Sequence, residues 1–282
     1  KLHIPFLMKK LITSLFLILL FASCEERSEW ELETAANDFI VVDGIITNEM
    51  KYHTVTLLRP VSQLNEKPQP VSGATLLVSS ELQVYSFHED PARAGTYISD
   101  TLFSGIRNRT YSLLINLDNK VYSAKAVLEP PVLLTEFVPI GYEKNTGDNL
   151  YHLTNIPANY NPASYAMYEI LLDWSTSVGY ENADPDSCKA RLYYYTLPTI
   201  DVSEVFAPEV ENVNFPAGTI LTQRRYSLTR EHAGFIRALL LESTWTGGYF
   251  NTAPANIPTT LSEGATGFFG ACGVMEKVEV VE

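Results

Sequence analysis

A cysteine at the end of an apolar run offers the plainest chemistry in this chain. Lys9 and Lys10 precede Leu11 to Phe21; Ala22 and Ser23 follow, and Cys24 comes next, ahead of Glu25 and Glu26. The run is about half as long as the roughly 20 residues that a spanning helix needs, which suits a removable secretory segment better than a permanent anchor helix. Small residues directly before the cysteine complete the order of a bacterial lipoprotein signal, in which the cysteine carries a diacylglycerol and an amide-linked acyl chain. Cys24 is therefore the expected lipid attachment site. Residues 1–23 read as the signal peptide, with 1–7 upstream of the true start at Met8, and residues 24–37 as a tether. Phe21 stands where Leu, Val or Ile is usual, so an ordinary secretory signal is the alternative. More than one acyl chain would anchor stably, since each buried methylene contributes on the order of 0.8 kcal/mol.

Other reactive groups are more scattered. Glu181, Asp184 and Asp186 bring carboxylates into one segment, and hard cations such as calcium take oxygen ligands of this kind. The segment lacks the D-x-[DN]-x-[DN]-G order, so a solvated acidic loop is the expectation and no cofactor is expected beyond the covalent lipid. His88-Glu89-Asp90 reads as a hairpin turn. Cys188 and Cys272 sit in an export context that permits oxidation; a disulfide between them and two isolated buried thiols are both open. His53, His88, His152 and His232 each stand alone in sequence and read as core or surface histidines. G-x-S-x-G, H-E-x-x-H, G-x-x-x-x-G-K-[ST] and G-x-G-x-x-G are all missing. The sequence therefore points away from an enzyme. A hydrolase is the least favoured alternative, with Asp173 or Glu242 as the acids that a distant carboxylate would have to join.

Aromatic residues are the better lead, because 16 Tyr and 3 Trp exceed what a small core requires and such side chains also build ligand platforms. In Tyr193-Tyr194-Tyr195 a strand sends Tyr194 to the face opposite its neighbours. Trp245, Tyr249 and Phe250 flank Gly247-Gly248. Tyr194, Trp245, Tyr249 and Phe250 are the candidate ligand or partner surface, with core packing as the competing role.

The net charge of -13 becomes more negative still once residues 1–23 are removed, since they carry Lys1, Lys9 and Lys10 and no acids. Such a chain repels nucleic acid and anionic lipid surfaces. With 46% hydrophobic and 19% charged residues it folds into a packed structure and is not a disordered polymer.

Short strands separated by turn residues must position these groups. Phe39-Ile40-Val41-Val42 leads into Asp43-Gly44, then Ile45-Ile46-Thr47. Further strands are expected at Tyr52 to Leu58, Thr75 to Ser79, Gln83 to Phe87, Gly95 to Ile98, Thr110 to Leu117 and Val121 to Leu128. The fold class is mostly β, with residues 38–130 as an N-terminal β-sandwich. Glu129-Pro130-Pro131 marks a domain junction, because two prolines stiffen the chain and remove two donors. Residues 131–282 form a second mainly β domain, with strands at Leu133 to Ile140, Tyr165 to Trp174, Ala190 to Leu197 and Ile220 to Tyr226. Its amphipathic helix spans about 229–243, capped by Ser227 or Thr229, with Phe235, Ile236, Leu239 and Leu240 on one face.

Taken together, the signal with Cys24, the Phe39-to-Thr47 segment with Thr54-Val55-Thr56-Leu57, Pro70-Val71-Ser72-Gly73-Ala74, Gly247-Gly248-Tyr249-Phe250-Asn251, Asn256-Ile257-Pro258-Thr259 and Gly264-Ala265-Thr266-Gly267-Phe268-Phe269-Gly270 carry a family likeness. The chain resembles the Bacteroidota outer-membrane lipoproteins of a domain-of-unknown-function family commonly encoded beside TonB-dependent receptors. Val71 to Thr75, Gly95-Thr96-Tyr97 and Thr110 to Leu113 separately resemble transthyretin-like or carboxypeptidase-regulatory-like sandwiches, an architecture akin to Ig-like ones. The family resemblance implies an envelope location at the outer membrane, and Glu25, Glu26 and Glu29 resemble the acidic stretch that directs many Bacteroidota lipoproteins to the cell surface, with the periplasmic face as the alternative side. The family resemblance also implies a link to receptor-driven uptake, and it brings no catalytic residues. A non-catalytic accessory or binding protein whose partner is a TonB-dependent receptor is thus the leading expectation. An adhesin or fimbrial subunit is the alternative, because the tail from Glu276 to Glu282 can pair as a strand.

Overall fold

Alternation of apolar and polar side chains sets the faces of nearly every strand. The structure, a computed structural model, describes residues 39–61, 66–130, 138–201, 205, 212–245 and 257–282. Ahead of Pro130 come β1 (Ile40–Thr47), β2 (Thr54–Leu58), β3 (Thr75–Ser79), β4 (Val84–Glu89), β5 (Thr96–Ser99), β6 (Thr110–Leu117) and β7 (Lys120–Val127). After it come β8 (Gly141–Lys144), β9 (Leu150–Thr154), β10 (Ala166–Asp173), β11 (Lys189–Thr196), β12 (Phe215–Pro216), β13 (Ile220–Ser227), α1 (Arg230–Glu242), β14 (Ala265–Cys272) and β15 (Val274–Val280). Among the described residues the mainly β class, with the amphipathic helix after β13, is as expected. Most of the strand expected at Leu133 to Ile140, together with Cys24 and residues 1–37, lies outside the described residues.

The first seven strands belong to a single sheet, ordered β14-β1-β2-β5-β4-β3-β6-β7. This sheet curls until its two ends meet, so opposite parts face each other across one core as the layers of a sandwich would. Ile40, Leu57, Leu76, Leu113, Ile115 and Phe269 fill that core and are 0–1% exposed. Where the ends meet, Ser262 N–H donates to Ser123 O at 2.8 Å, and an isolated parallel bridge joins Glu129 to Cys272. The hydroxyls of Thr259 and Thr260 donate to the carbonyls of Gly267 and Phe269 at 2.8 and 3.2 Å, satisfying acceptors on β14 that have no strand partner.

Two features differ from the sequence reading. Asp43-Gly44 interrupts nothing: β1 runs straight through it, because β2 pairs on one side and β14 on the other. The absent side chain of Gly44 makes room for Val55, which would stand 3.0 Å from a Cβ there. Ala265–Cys272, assigned by sequence to the domain after Pro130, is the eighth strand of the first sheet and pairs in parallel with β1. Residues 37–282 accordingly group as one unit.

Beyond Gly273 the same chain segment enters a second sheet, ordered β11-β10-β13-β15. The tail that sequence marked as able to pair does so within the chain, antiparallel to β13. A third small sheet, β12-β9-β8, covers one end of the second over Ile140, Ile170, Leu172, Phe215 and Leu221. Buried Gln223 ties the two, accepting from Ile140 N–H at 2.9 Å. Helix α1 starts at Thr229, whose hydroxyl accepts from His232 N–H at 3.1 Å. It rests on the outward face of β14, where the His232 and Phe235 rings stack on Phe268 at 4.4 and 4.8 Å. Ala233, Ile236 and Leu240 are buried, whereas Leu239, expected on the same face, is exposed.

Cys188 and Cys272 are separate buried thiols and do not form a disulfide. Cys188 precedes the β11 residue that aligns with Asp173, and Cys272 precedes the β15 residue that aligns through Tyr226 with Met167. They therefore sit at opposite ends of the second sheet, roughly 20 Å apart at about 3.3 Å per residue, against the roughly 7 Å between Cα atoms that a disulfide tolerates. Burial pushes the Cys272 thiol up to about 12.

The close pairing of β1 and β14 yields a direct test. Gly267 has φ +90, and a Cβ on it would lie 2.2 Å from Val42 O. Gly267→Ala combines a left-handed backbone penalty with a clash against a backbone atom that cannot move independently, and should lower stability by about 3 kcal/mol or more. Urea denaturation of the whole chain measures it; a loss below about 1 kcal/mol would contradict the pairing described.

Candidate functional site

β1 and β2 turn their odd- and even-numbered residues, respectively, away from the first core: Asp43, Ile45 and Thr47 on one strand, Thr54 and Thr56 on the other. Ile45 packs under the second sheet, and beside it the two sheets diverge into a cleft of about 240 Å³. Its walls are Asp43, Thr54, Thr56 and Lys51 on one side and Met167, Glu169, Tyr193 and Tyr226 on the other.

Glu169 is the buried acid of this site. Tyr226 and Tyr193 donate their hydroxyls to it at 2.8 and 3.4 Å, and the Arg224 and Arg191 guanidinium groups each stand 3.5 Å away. Burial, with the Glu169 carboxylate as hydrogen-bond acceptor, pushes the Tyr226 phenol well above its ordinary range. Arg224 also pairs with Glu49 and lies 3.2 Å from Glu276. Glu49 in turn takes Lys51 at 2.7 Å and the Thr47 hydroxyl at 2.8 Å. One guanidinium thus joins an acid of the β1–β2 connection to acids of β10 and β15. Asn48 adds a neutral link: its side chain accepts from Val274 N–H at 2.5 Å and donates to Val274 O at 3.3 Å, replacing a neighbouring strand where β14 passes into β15.

Asp43 differs from these acids. It has no hydrogen bond or ion pair among the described residues. Solvent reaches its side chain through the mouth of the cleft, while the walls remove enough of its hydration to raise the carboxyl above its ordinary value of 3.8. Glu169 is already saturated by two phenols and two cations, so the cleft is left with one unsatisfied carboxylate, hydroxyls and an exposed tyrosine ring.

A family described as "Domain of unknown function (DUF4249)" has a sequence model that matches residues 25–278. The chain belongs to this family. No curated protein matches it. Among solved structures, a DUF4785 family protein from Legionella pneumophila, at 2.00 Å resolution, is 10% identical with a TM-score of 0.21. The likeness covers 67% of this chain and 52% of that one, so the DUF4249 chain spans about half the length of that protein.

Among the described residues, those singled out by sequence do not converge in the DUF4249 structure. Tyr194 is half-buried in the core beneath the third sheet, and Trp245 is buried with Leu240 and Val274. Tyr249 and Phe250 fall outside the described residues. Glu181 accepts from Gly179 N–H at 3.1 Å and Asp184 from Asp186 N–H at 3.1 Å, so these carboxylates turn onto their own loop. Asp173 is occupied by the hydroxyl and amide of Ser175, at 2.6 and 3.0 Å, and neither it nor Glu242 lines the cleft. His53 and His232 are core residues whose imidazoles burial lowers to about 4, whereas His88 pairs with Asp100 at 2.6 Å on the surface. Sequence reasoning missed Asp43, Glu49, Glu169 and Arg224. For Asp43 and Glu169 the local signal is a charge inside an otherwise apolar strand, as in Val42-Asp43-Gly44-Ile45 and Tyr168-Glu169-Ile170; Glu49, in the β1–β2 connection, and Arg224, in a polar stretch of β13, carry no such signal.

Glu49 gives this network a pH signature. Burial works to raise its carboxyl, but Lys51, Thr47 and Arg224 outweigh burial and hold it below its ordinary 4.5. A lowered folded value means that the stabilisation is present above the ordinary value and lost as pH falls through the folded one. Glu49→Gln should therefore denature at lower urea than wild type at pH 7, with the gap closing as pH falls below the ordinary carboxyl value of 4.5 and through the lowered one. A gap that stays constant between pH 7 and 3 would argue against the pairing.

Proposed function

We propose that the protein is a lipid-anchored outer-membrane binding protein, displayed at the cell surface and acting by non-covalent contact alongside a TonB-dependent receptor. The cleft carries the binding half of this reading: a preformed concavity between two rigid sheets, with its buried acid already neutralised and one carboxylate left unpaired. Convergent polar groups in a concave site are the usual basis of ligand recognition. The anchoring half rests on Cys24 and its flanking residues. A tether from Cys24 to Phe39 reaches about 50 Å at full extension, enough to hold the sheets clear of the headgroups. Receptor and inner membrane would supply the energy for uptake, so the lipoprotein needs no nucleotide site. A fimbrial role would require β15 to leave β13, against a seven-residue register and the Asn48 clamp at its start.

The test is crosslinking of intact cells that carry an affinity-tagged chain, followed by mass spectrometry of the captured proteins. A TonB-dependent receptor is the expected partner, and Cys24→Ala should move the protein out of the outer-membrane fraction. Recovery of the tagged chain alone, or membrane retention of Cys24→Ala, would overturn the corresponding half of the proposal.

A further inference from the structure

The charges around the cleft do not balance. Asp43, Glu49, Glu169 and Glu276 meet Lys51, Arg191 and Arg224. Lys51 stands 2.7 Å from Glu49, Arg191 3.5 Å from Glu169, and Arg224 3.5 and 3.2 Å from Glu169 and Glu276. Four carboxylates share three cations, and Asp43 is the one without a partner among the described residues. The groups that face it are Thr56 on β2, Phe268 on β14, Met167 and Glu169 on β10, Tyr193 on β11, Tyr226 on β13 and Lys51 before β2. Lys51 is held by Glu49 and Glu169 by its own cations, so no described residue neutralises Asp43.

The walls supply the rest of a cation's needs. Met167 and the ring of Tyr193, which is 44% exposed, give an apolar flank on which an alkyl stem can lie. An ammonium offers three donors, and the Asp43 carboxylate with the Thr54 and Thr56 hydroxyls provides acceptors on the opposite wall. A partly dehydrated carboxylate gains more from a counter-ion than a fully solvated one does. The strongly acidic chain also draws cations toward it.

We infer that the cleft receives an alkylammonium group on an apolar stem, with Asp43 as its counter-ion and Met167 and Tyr193 flanking the stem. The inference rests on the binding reading above and names the ligand chemistry of that site. Protonation of Asp43 competes with the cation, so binding fades as pH falls through its raised carboxyl value.

The chain's methionines provide the test. Of Met50, Met167 and Met275, the methionines among the described residues, only Met167 lines the cleft. The whole chain, carrying ¹³C-methyl methionine in detergent micelles, is titrated with Nα-acetyl-lysine methylamide, its Nε-acetylated counterpart, n-butylamine and glucose. The Met167 methyl signal should shift saturably with both ammonium compounds and not with the neutral ones. A stronger response to the capped lysine assigns a peptide side chain as the natural group; an equal response assigns a free amine. Asp43→Asn should weaken binding at least about tenfold, with the Met50 and Met275 signals unmoved as proof of an intact fold. A silent Met167, equal shifts with the Nε-acetylated compound, or undiminished binding by Asp43→Asn would overturn the inference. Shifts with glucose alone would leave a binding cleft of different specificity, and a receptor captured by crosslinking with a silent Met167 would leave the proposed function standing without this ligand.

Discussion

Parallel pairing between β1 and β14 is the contact on which the other parts rest. It supplies the eighth strand that brings the first sheet round to meet itself and the surface on which α1 packs. It also sets the direction in which the chain leaves to begin the second sheet. Backbone geometry permits it only because position 267 has no side chain, so that β14 can approach the carbonyl of Val42. The Asn48 clamp then fixes where one sheet ends and the next begins.

Electrostatics adds orientation more than strength. Glu169 is buried, and its desolvation is offset by phenols and guanidinium groups from the same sheet. Such clusters often contribute little net stability, yet breaking one partner leaves a costly uncompensated charge. Arg224 reaches beyond its own sheet to Glu49, so the angle between the sheets, and with it the width of the cleft, is set by an ion pair as well as by apolar packing.

Local pattern made much of this legible. Alternation located the strands up to Val127, and the Thr229 cap with its apolar periodicity located α1. What stayed hidden depends on distance along the chain. Ala265–Cys272 is rich in glycine and aromatic residues with little polar alternation, because β14 is buried on both faces, under the helix and over the first core. Glu129-Pro130-Pro131 is not the limit of the first sheet, since β14 joins it from far along the chain and no local signal reports a partner so distant. Asp43-Gly44 looked like a turn because its strand context comes from β2 and β14, not from its neighbours. Tyr194 and Trp245 were attractive as exposed platforms, but both are needed to fill cores under a small sheet and a short helix. The acids of the cleft gave almost no warning, because their meaning lies in which other charges the fold brings beside them.

Asn48 grips a residue 226 positions further along the chain. During synthesis, β1 must wait with one edge bare until the chain has been extended as far as β14. Contacts of such long sequence separation form slowly, and an unpaired strand edge is an invitation to the wrong neighbour. The assembly schedule of this protein is thus written into its topology: β1 is made long before the strand that secures it, and any helper that shields β1 in the interval would act before the cleft exists.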